Sequence, residues 1–224
     1  MNKIYKIIIF WIVFAFCISI LVVVLNVDDL FQKRIEVPRI YSSIDKDNDG
    51  VDDYSDLVKS AKNQIGVVTK YDTSYFDNGG FPPQDSGACA DIVWRTFQDA
   101  GYDIKTLLET DIKNFPNKYN ENFIADSNIN FRRTENLRAF LNNNAQILTN
   151  NIEPWNIENL VQWQGGDIVT FAQIPGRLWH VAIVSDKRRA DGVPLLIHNH
   201  GLGVVENDYL LSWPSDVSGH FRWN

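Results

Sequence analysis

Two kinds of sequence pattern are separated along this chain, and their order most constrains the fold. Apolar residues recur at helical spacing in four segments of the first two thirds, residues 57–65, 89–100, 107–115 and 134–143. Four short β-type runs follow, at residues 167–171, 180–185, 194–199 and 220–223. The dipeptide Asp191-Gly192 predicts a hairpin between the second and third runs. Helices followed by strands predict an α+β domain in which N-terminal helices pack on a C-terminal antiparallel sheet.

An apolar run near the N-terminus predicts one membrane-spanning helix. Residues 7–25 contain no charged side chain, and a run of this length approaches the thickness of the hydrocarbon core. No small-residue cleavage pattern follows, so we interpret residues 1–26 as an uncleaved signal anchor. Lys3 and Lys6 favour a cytoplasmic N-terminus, although two basic residues beyond the run weaken the asymmetry. We therefore expect a single-pass protein of the cell membrane with an extracytoplasmic body.

The rest of the chain predicts one domain behind a short linker. Residues 27–43 have mixed charge and weak periodicity, as expected of a stalk, and residues 44–56 form an acidic loop. Residues 57–224 are long enough to bury a core. The formal net charge of -7 argues against nucleic acid as a partner, because nucleic acid favours basic surfaces. Membrane contact is expected through the N-terminal helix alone, and the oligomeric state stays open.

Cys89 is the one cysteine outside the N-terminal apolar run, and it begins the clearest predicted helix. The N–H groups and the dipole at a helix start favour the thiolate, which is the reactive form of cysteine. An unpaired thiol in an oxidising compartment is also a candidate for reactivity. A buried cysteine is nevertheless often an inert core residue, so Cys89 by itself leaves both interpretations open.

All four histidines lie in the β-rich last third of the chain, at His180, His198, His200 and His220. A catalytic thiol needs an imidazole to take its proton and a third polar group to orient that imidazole. His180 begins one predicted strand and His198 ends the next, so a hairpin would place the two rings side by side. If they form a site, we expect a His180 ring nitrogen within hydrogen-bond reach of the Cys89 sulfur. A histidine in a strand is also often structural, and the residue types do not decide between the two.

Four motifs support a catalytic role for Cys89 and the histidines, because they resemble those of a known family. They are the Tyr-Phe-Asp-Asn-Gly-Gly approach to the cysteine helix, a Gly-Asp-Ile-Val strand, a Trp-His-Val-Ala-Ile-Val strand and a Leu-Ile-His-Asn strand end, at residues 75–89, 166–171, 179–184 and 196–199. In this order they resemble the motifs of NlpC/P60 cysteine peptidases. The chain resembles the DUF1287 family more closely, over nearly the whole body. That resemblance adds Gly-Gly-Phe-Pro-Pro, Asn-Ile-Asn-Phe-Arg-Arg and the closing Gly-His-Phe-Arg.

The resemblance implies a papain-like α+β fold with the nucleophile helix packed on the sheet. Carried over by position, it implies Cys89 as the nucleophile, His180 as general base and acid, and His198 as the orienting residue. It also implies a contribution of the Cys89 backbone N–H to an oxyanion hole. Ala88 and Ala90 stand where NlpC/P60 enzymes have Asp and Ser, which leaves the substrate open.

Several polar residues near these motifs have more than one interpretation. Asn199 and His200 are alternatives for the orienting position, and strand alternation places only His200 on the face of His198. We expect His220 to hydrogen-bond within the sheet. Of the neighbours Arg132 and Arg133, we expect one to pair with an internal acid, and binding of a substrate carboxylate is the alternative.

The acidic loop has the spacing of a calcium-binding loop. Counted from Asp45, carboxylates stand at positions 1, 3, 5, 9 and 12, with Gly50 at position 6 for the sharp turn. Calcium takes roughly six to eight oxygen ligands, and this register supplies them. The segment resembles dockerin and thrombospondin type 3 loops, and an acidic linker that caps a helix is the alternative. We predict a structural calcium ion with these ligands: Asp45, Asp47, Asp49, the carbonyl of Val51, Asp53 and Asp56.

Together these patterns predict a membrane-anchored cysteine hydrolase that needs no cofactor for catalysis. The resemblance implies an amide substrate, in the first place a stem-peptide bond of bacterial peptidoglycan or the amide that links glycan to peptide. One alternative is a non-enzymatic, calcium-stabilised binding module of the cell surface. Another is an acyl transferase that uses the same cysteine and histidine.

Overall fold

The structure is a computed structural model that describes residues 10–15, 17, 34–119, 125–172, 174 and 179–224. Contacts divide the chain into two units, Met1–Arg34 and Ile35–Asn224. In the first unit, residues 10–15 and 17 are helical. Within the described ranges, no helix has both the length and the hydropathy needed to cross a membrane. Most of the predicted signal anchor lies outside the described residues.

The described part of the second unit contains α-helices, short 3-10 turns and strands. The helices are α1 (Asp53–Asn63), α2 (Cys89–Asp99), α3 (Ile104–Asn114), α4 (Thr134–Asn144) and α5 (Ile157–Leu160), with 3-10 turns at Pro116–Lys118 and Asn130–Arg132. The strands are β1 (Gln146–Ile147), β2 (Ile168–Phe171), β3 (His180–Arg188), β4 (Pro194–Asn199), β5 (Val204–Asn207) and β6 (Val217–Arg222).

The strands form one antiparallel sheet in the order β1-β6-β2-β3-β4-β5. Helices α1 and α2 pack against β3, so the predicted α+β arrangement of N-terminal helices on a C-terminal sheet is confirmed. The hairpin predicted at Asp191-Gly192 joins β3 to β4, and Gly192 has a φ of +87°. Strands β1 and β5 were not predicted, because pairing with β6 and β4 creates them and their own sequences carry no turn or alternation signal.

Both faces of the sheet are buried, and each face belongs to a different core. The helix-bearing face joins Cys89, Phe97, Val181 and Ile183 in one cluster. The opposite face joins a second cluster of Leu160, Trp163, Val169, Phe171, Val184 and Leu196. Since successive residues of a strand point to opposite faces, β2 and the start of β3 are buried throughout instead of alternating with exposed residues.

Helix α2 is defined by local signals at both of its ends. At its start, the Asp91 carboxylate accepts a hydrogen bond of 2.6 Å from the Ala88 N–H. At its end, Gly101 has a φ of +81°, and the Tyr102 N–H donates to the Phe97 carbonyl at 2.8 Å. A glycine in the left-handed region thus ends the helix.

Part of the predicted stalk packs against the domain. The Ile35 N–H donates to the Ala190 carbonyl at 3.0 Å, and the Ile40 N–H donates to the Gln164 side-chain oxygen at 3.0 Å. Ile35 and Val37 also contact the second core cluster. Residues 35–40 of the predicted stalk therefore pack on the domain.

Two glycines with the same backbone conformation provide a test of the loop that precedes α2. Gly80 and Gly66 have φ values of +79° and +78°. A Cβ on Gly80 would lie 1.8 Å from the Asn128 carbonyl oxygen, whereas a Cβ on Gly66 would meet no atom within 4 Å.

We predict that Gly80→Ala lowers the free energy of unfolding clearly more than Gly66→Ala. Both variants place a side chain in the left-handed region, at a cost of about 1–2 kcal/mol. Only Gly80→Ala also forces the Asn128 backbone to move. Urea unfolding of both variants measures the difference, and equal losses would contradict the close packing of residues 80 and 128.

Candidate functional site

Cys89 lies where two helices begin. It is the first residue of α2, and its sulfur is 3.6 Å from the hydroxyl oxygen of Thr134, the first residue of α4. The side chain is buried, with 4% of its surface exposed. Together with Ala88, Tyr71, Thr134 and Trp179 it lines a cavity of about 260 Å³. The thiol is therefore buried in the protein but faces a space that a ligand can enter.

Burial raises the pKa of the Cys89 thiol above its usual value. Hydrogen bonds from the Thr134 hydroxyl, the Val181 backbone N–H and the Tyr71 hydroxyl oppose this shift without cancelling it. Burial therefore opposes the thiolate that the helix start favours, because a buried anion loses its hydration.

His180 and His198 form a hydrogen-bonded pair. The His180 Nε2 is 2.7 Å from the His198 Nδ1, and the His198 Nε2 is 2.9 Å from the Asn207 side-chain oxygen. The His180 ring also stacks on Trp213, with ring centroids 4.1 Å apart and an interplanar angle of 14°. Strands β3 and β4, together with the end of β5, thus hold a chain of three polar side chains in fixed order.

The hydrogen-bonded series His180–His198–Asn207 determines which ring nitrogens carry protons. Because the Asn207 oxygen is an acceptor, the His198 Nε2 carries a proton and its Nδ1 is free to accept one from the His180 Nε2. The His180 Nδ1 is then unprotonated, and it makes no hydrogen bond to the residues that the structure describes. Burial lowers the pKa of His198 to about 4 and holds the pKa of His180 well below its usual value. Both rings are consequently neutral near pH 7.

The expected contact between thiol and imidazole is absent among the described residues. Cys89 makes its side-chain hydrogen bond with Thr134 and none with His180. Cys89 belongs to the core on the helix-bearing face, whereas His180 pairs with Phe171 in the strand register and packs against the opposite core. The two residues are still neighbours at the end of β3, because the N–H next to His180, that of Val181, reaches the sulfur.

The polar residues that follow His198, Asn199 and His200, have different partners from His198. The Asn199 side-chain amide donates to the carbonyls of Lys70 and Gly87, at 3.1 and 2.8 Å, on the approach to α2. The His200 ring centroid is 5.0 Å from that of His198. His198 is therefore the residue of this strand that hydrogen-bonds His180.

Two further sequence predictions are confirmed. The His220 ring lies within the fold, where it hydrogen-bonds the Thr149 carbonyl at 2.8 Å and the Asp167 carboxylate at 2.9 Å. Of the two adjacent arginines, Arg132 pairs with the buried Asp91, with Nε–O and Nη2–O distances of 2.8 and 2.9 Å.

Asn207 and Trp213 complete the histidine site and were missed by the sequence analysis. Asn207 ends β5, a strand that forms by pairing with β4 and has no signal of its own. Trp213 follows β5 in a segment of turns and irregular backbone.

The acidic loop brings together some of its predicted ligands. Carboxylate oxygens of Asp45, Asp47 and Asp49 lie within 4.8 Å of one another. Burial, followed by the charges of Asp49 and Asp47, raises the pKa of Asp56 to about 6. Asp53 is otherwise engaged, since its carboxylate accepts from the Lys46 N–H at 2.8 Å and from the Tyr102 hydroxyl. Because exposed acidic groups often cluster without an ion, calcium binding stays a prediction.

Comparison with known proteins identifies relatives without a described activity. A family model described as "Domain of unknown function (DUF1287)" matches residues 58–223, which include Cys89, His180 and His198. "Uncharacterized protein YijF" of Escherichia coli (strain K12) is 34% identical over 174 residues, which cover 75% of this chain and 80% of that protein. No solved structure matches the chain.

The raised thiol pKa predicts slow alkylation of Cys89 near neutral pH. We expect the iodoacetamide reaction rate to keep rising above about pH 8.5, the usual cysteine pKa, because the thiolate forms only at higher pH. Peptide mass spectrometry follows Cys89 separately from Cys17, and the urea-unfolded chain provides the unshifted profile. Thr134→Val should slow the reaction further, because it removes a hydrogen bond to the sulfur. An apparent pKa below that of the unfolded chain would contradict the prediction.

Proposed function

The chain belongs to the DUF1287 family, whose function is unknown, and from the geometry around Cys89 we propose that it is a cysteine hydrolase of amide bonds. One observation carries the proposal. Cys89 stands at a helix start and lines a cavity, and its sulfur accepts a hydrogen bond from the Val181 N–H, the residue next to His180, whose neutral ring is hydrogen-bonded to His198. A thiol, a base and a group that orients the base are the parts that nucleophilic catalysis by cysteine requires.

The proposed roles follow from the hydrogen bonds. Cys89 attacks the amide carbonyl, and its proton passes to the His180 Nδ1, because a neutral thiol and a neutral imidazole are the resting forms. His198, held by Asn207, keeps the His180 tautomer that has this nitrogen free. The Cys89 backbone N–H, at the start of α2, stabilises the developing oxyanion.

The reaction then proceeds in two halves. Breakdown of the tetrahedral intermediate breaks the C–N bond, and the proton on His180 goes to the leaving amine. The remaining thioester is hydrolysed when His180 takes a proton from water, the hydroxyl bonds to the carbonyl carbon and the sulfur leaves. The proposal requires the His180 Nδ1 to reach the sulfur once substrate fills the cavity. Catalytic hydrogen bonds that are long in unliganded enzymes often shorten in this way.

The finer assignments rest on the sequence motifs. The order of the cysteine helix and the two histidine strands supports a papain-like fold of the NlpC/P60 type. It also supports peptidoglycan as the substrate, at a stem-peptide bond or at the amide between glycan and peptide. The apolar N-terminal run supports attachment to the cell membrane with the domain on the extracytoplasmic face.

A second candidate function is a non-enzymatic binding module of the cell surface. Two observations favour it: the raised pKa of the thiol, and the hydrogen bond of Cys89 to Thr134 in place of His180. In such a module the cavity beside Cys89 would bind a ligand without cleaving it.

The decisive experiment compares the wild-type chain with Cys89→Ala on purified cell wall. We expect the wild type to release peptide fragments, and the variant to lose at least about a thousandfold in rate, because the nucleophile is gone. Mass spectrometry of the soluble fraction identifies the bond. Cys17→Ala is the matched control and should keep full activity. Equal release by wild type and Cys89→Ala, or release by neither, would contradict the hydrolase.

We also propose that the acidic loop binds one structural calcium ion. Asp45, Asp47 and Asp49 already point their carboxylates at one another, and a cation at their centre would relieve that repulsion. The same ion would relieve the repulsion that raises the pKa of Asp56. The loop directly precedes α1, so the ion would stabilise the start of the domain and take no part in the thiol chemistry.

This proposal predicts a pH dependence of stability that calcium removes. The pKa of Asp56 is about 6 in the folded chain, above its unfolded value of about 3.9. Its contribution to stability is therefore complete below about pH 4 and is lost as the pH rises through 6. In chelator, the melting temperature of the wild type should fall more between pH 4 and pH 7 than that of Asp56→Asn.

Calcium added at pH 7 should raise the melting temperature of the wild type and leave Asp47→Asn unchanged. At one hundred times the dissociation constant, the gain corresponds to about 2.7 kcal/mol. Differential scanning calorimetry measures both effects. A wild type that melts at the same temperature in chelator and in excess calcium would rule out the ion.

A further inference from the structure

The two adjacent arginines that line the Cys89 cavity have opposite environments. Arg132 is buried, and all of its nitrogens have partners. Besides the two hydrogen bonds to Asp91, its Nη1 donates to the Ser74 carbonyl at 2.6 Å and its Nη2 donates to the Asp72 carbonyl at 3.2 Å. Arg132 is therefore committed to the fold, with four of its five N–H donors used in hydrogen bonds to protein acceptors.

Arg133 lines the same cavity without a partner of its own. Its side chain is half-buried, and it makes no hydrogen bond or ion pair with any residue in the described ranges. It directly precedes Thr134, whose hydroxyl contacts the Cys89 sulfur at 3.6 Å. Arg133 thus brings to the cavity a guanidinium group that has no counter-ion among the described residues. Its neighbour in the chain, Thr134, contacts the Cys89 sulfur.

The backbone around Arg133 also favours an anion at this place. Both α2 and α4 begin at the cavity, and each helix start carries partial positive charge. The carboxylate of Asp91, the nearest buried acid, is neutralised by Arg132. Among the described residues that line the cavity, the exposed Glu135 is the acidic one. Arg133 and the two helix starts therefore leave the inner part of the cavity electropositive.

We propose that Arg133 is a specificity residue that binds a free carboxylate of the substrate, close to the amide that Cys89 attacks. This inference rests on the proposed hydrolase function and narrows its substrate class. Substrates are peptides with a carboxylate next to the cleaved amide, which the planar guanidinium binds through two parallel hydrogen bonds. Tyr71, Ile129 and Trp179 provide apolar contacts for the rest of the peptide.

The test measures binding separately from cleavage. The full chain with Cys89→Ala is titrated calorimetrically with soluble wall peptides, and with the same peptides after their carboxyl groups are converted to carboxamides. We expect the carboxylate form to bind at least about tenfold more tightly, as for one charged hydrogen-bonded contact. Addition of Arg133→Gln should abolish this preference, and Arg133→Lys should keep part of it, because a lysine retains the charge but not the paired geometry.

Matched variants test whether something other than the Arg133 guanidinium group changes the preference for carboxylate peptides. Glu135→Gln removes the acidic side chain among the described residues that line the cavity and should preserve the preference for carboxylate. Circular dichroism and urea unfolding of Arg133→Gln should match those of Cys89→Ala, since the Arg133 side chain makes no hydrogen bond or ion pair with the described residues. Binding of both peptide forms with equal affinity, or of neither, would overturn the proposal. So would an Arg133→Gln variant that keeps the preference.

The result is distinguishable from a failure of the hydrolase proposal. If wild type and Cys89→Ala release equal amounts from wall, cleavage by Cys89 is disproved, yet a preference that depends on Arg133 would still show a carboxylate-binding site. If Cys89 proves essential and the preference is absent, the hydrolase stands and Arg133 has no part in specificity.

Discussion

The buried ion pair between Asp91 and Arg132 is the interaction on which the rest of the site depends. Both side chains are almost fully buried, and the Asp91 carboxylate accepts four hydrogen bonds, two of them from Arg132. The pair connects three segments by hydrogen bonds: the start of α2, the Asn130–Arg132 turn and the loop at residues 72–74. Removal of either partner would leave a buried charge, which typically costs about 3–5 kcal/mol. The position of Cys89, two residues before Asp91, follows from the same contacts.

The sheet places the second half of the site by burying both of its faces. Helices cover one face, and the segment around Trp213 covers part of the other. His180 therefore packs beside Phe171 in the second core cluster, away from the helices. Burial removes the positive charge from both imidazoles and raises the thiol pKa at the same time. Near pH 7 the thiol and both imidazoles are therefore neutral.

The fold was largely predictable, and the site was predictable only in part. Helix α2 and the Asp191-Gly192 hairpin follow from periodicity and turn chemistry, which act over a few residues. The pairing of His180 with His198 also follows from that hairpin. Asn207 did not follow, because β5 exists only through its pairing with β4. Nor did the choice between Arg132 and Arg133, because Asp91 lies 41 residues away in the chain.

The sequence by itself determined the α+β order, the cysteine at a helix start and the hairpin that joins the two histidines. Each of these depends on residues close together in the chain, where helix and strand periods act directly. Only the tertiary structure decided that Cys89 is buried as a thiol, that His180 faces away from it, and that Arg133, unlike Arg132, has no hydrogen-bond or ion-pair partner among the described residues. These properties depend on which distant segments exclude water from a side chain and which offer it a hydrogen bond. Local periodicity carries no information about either.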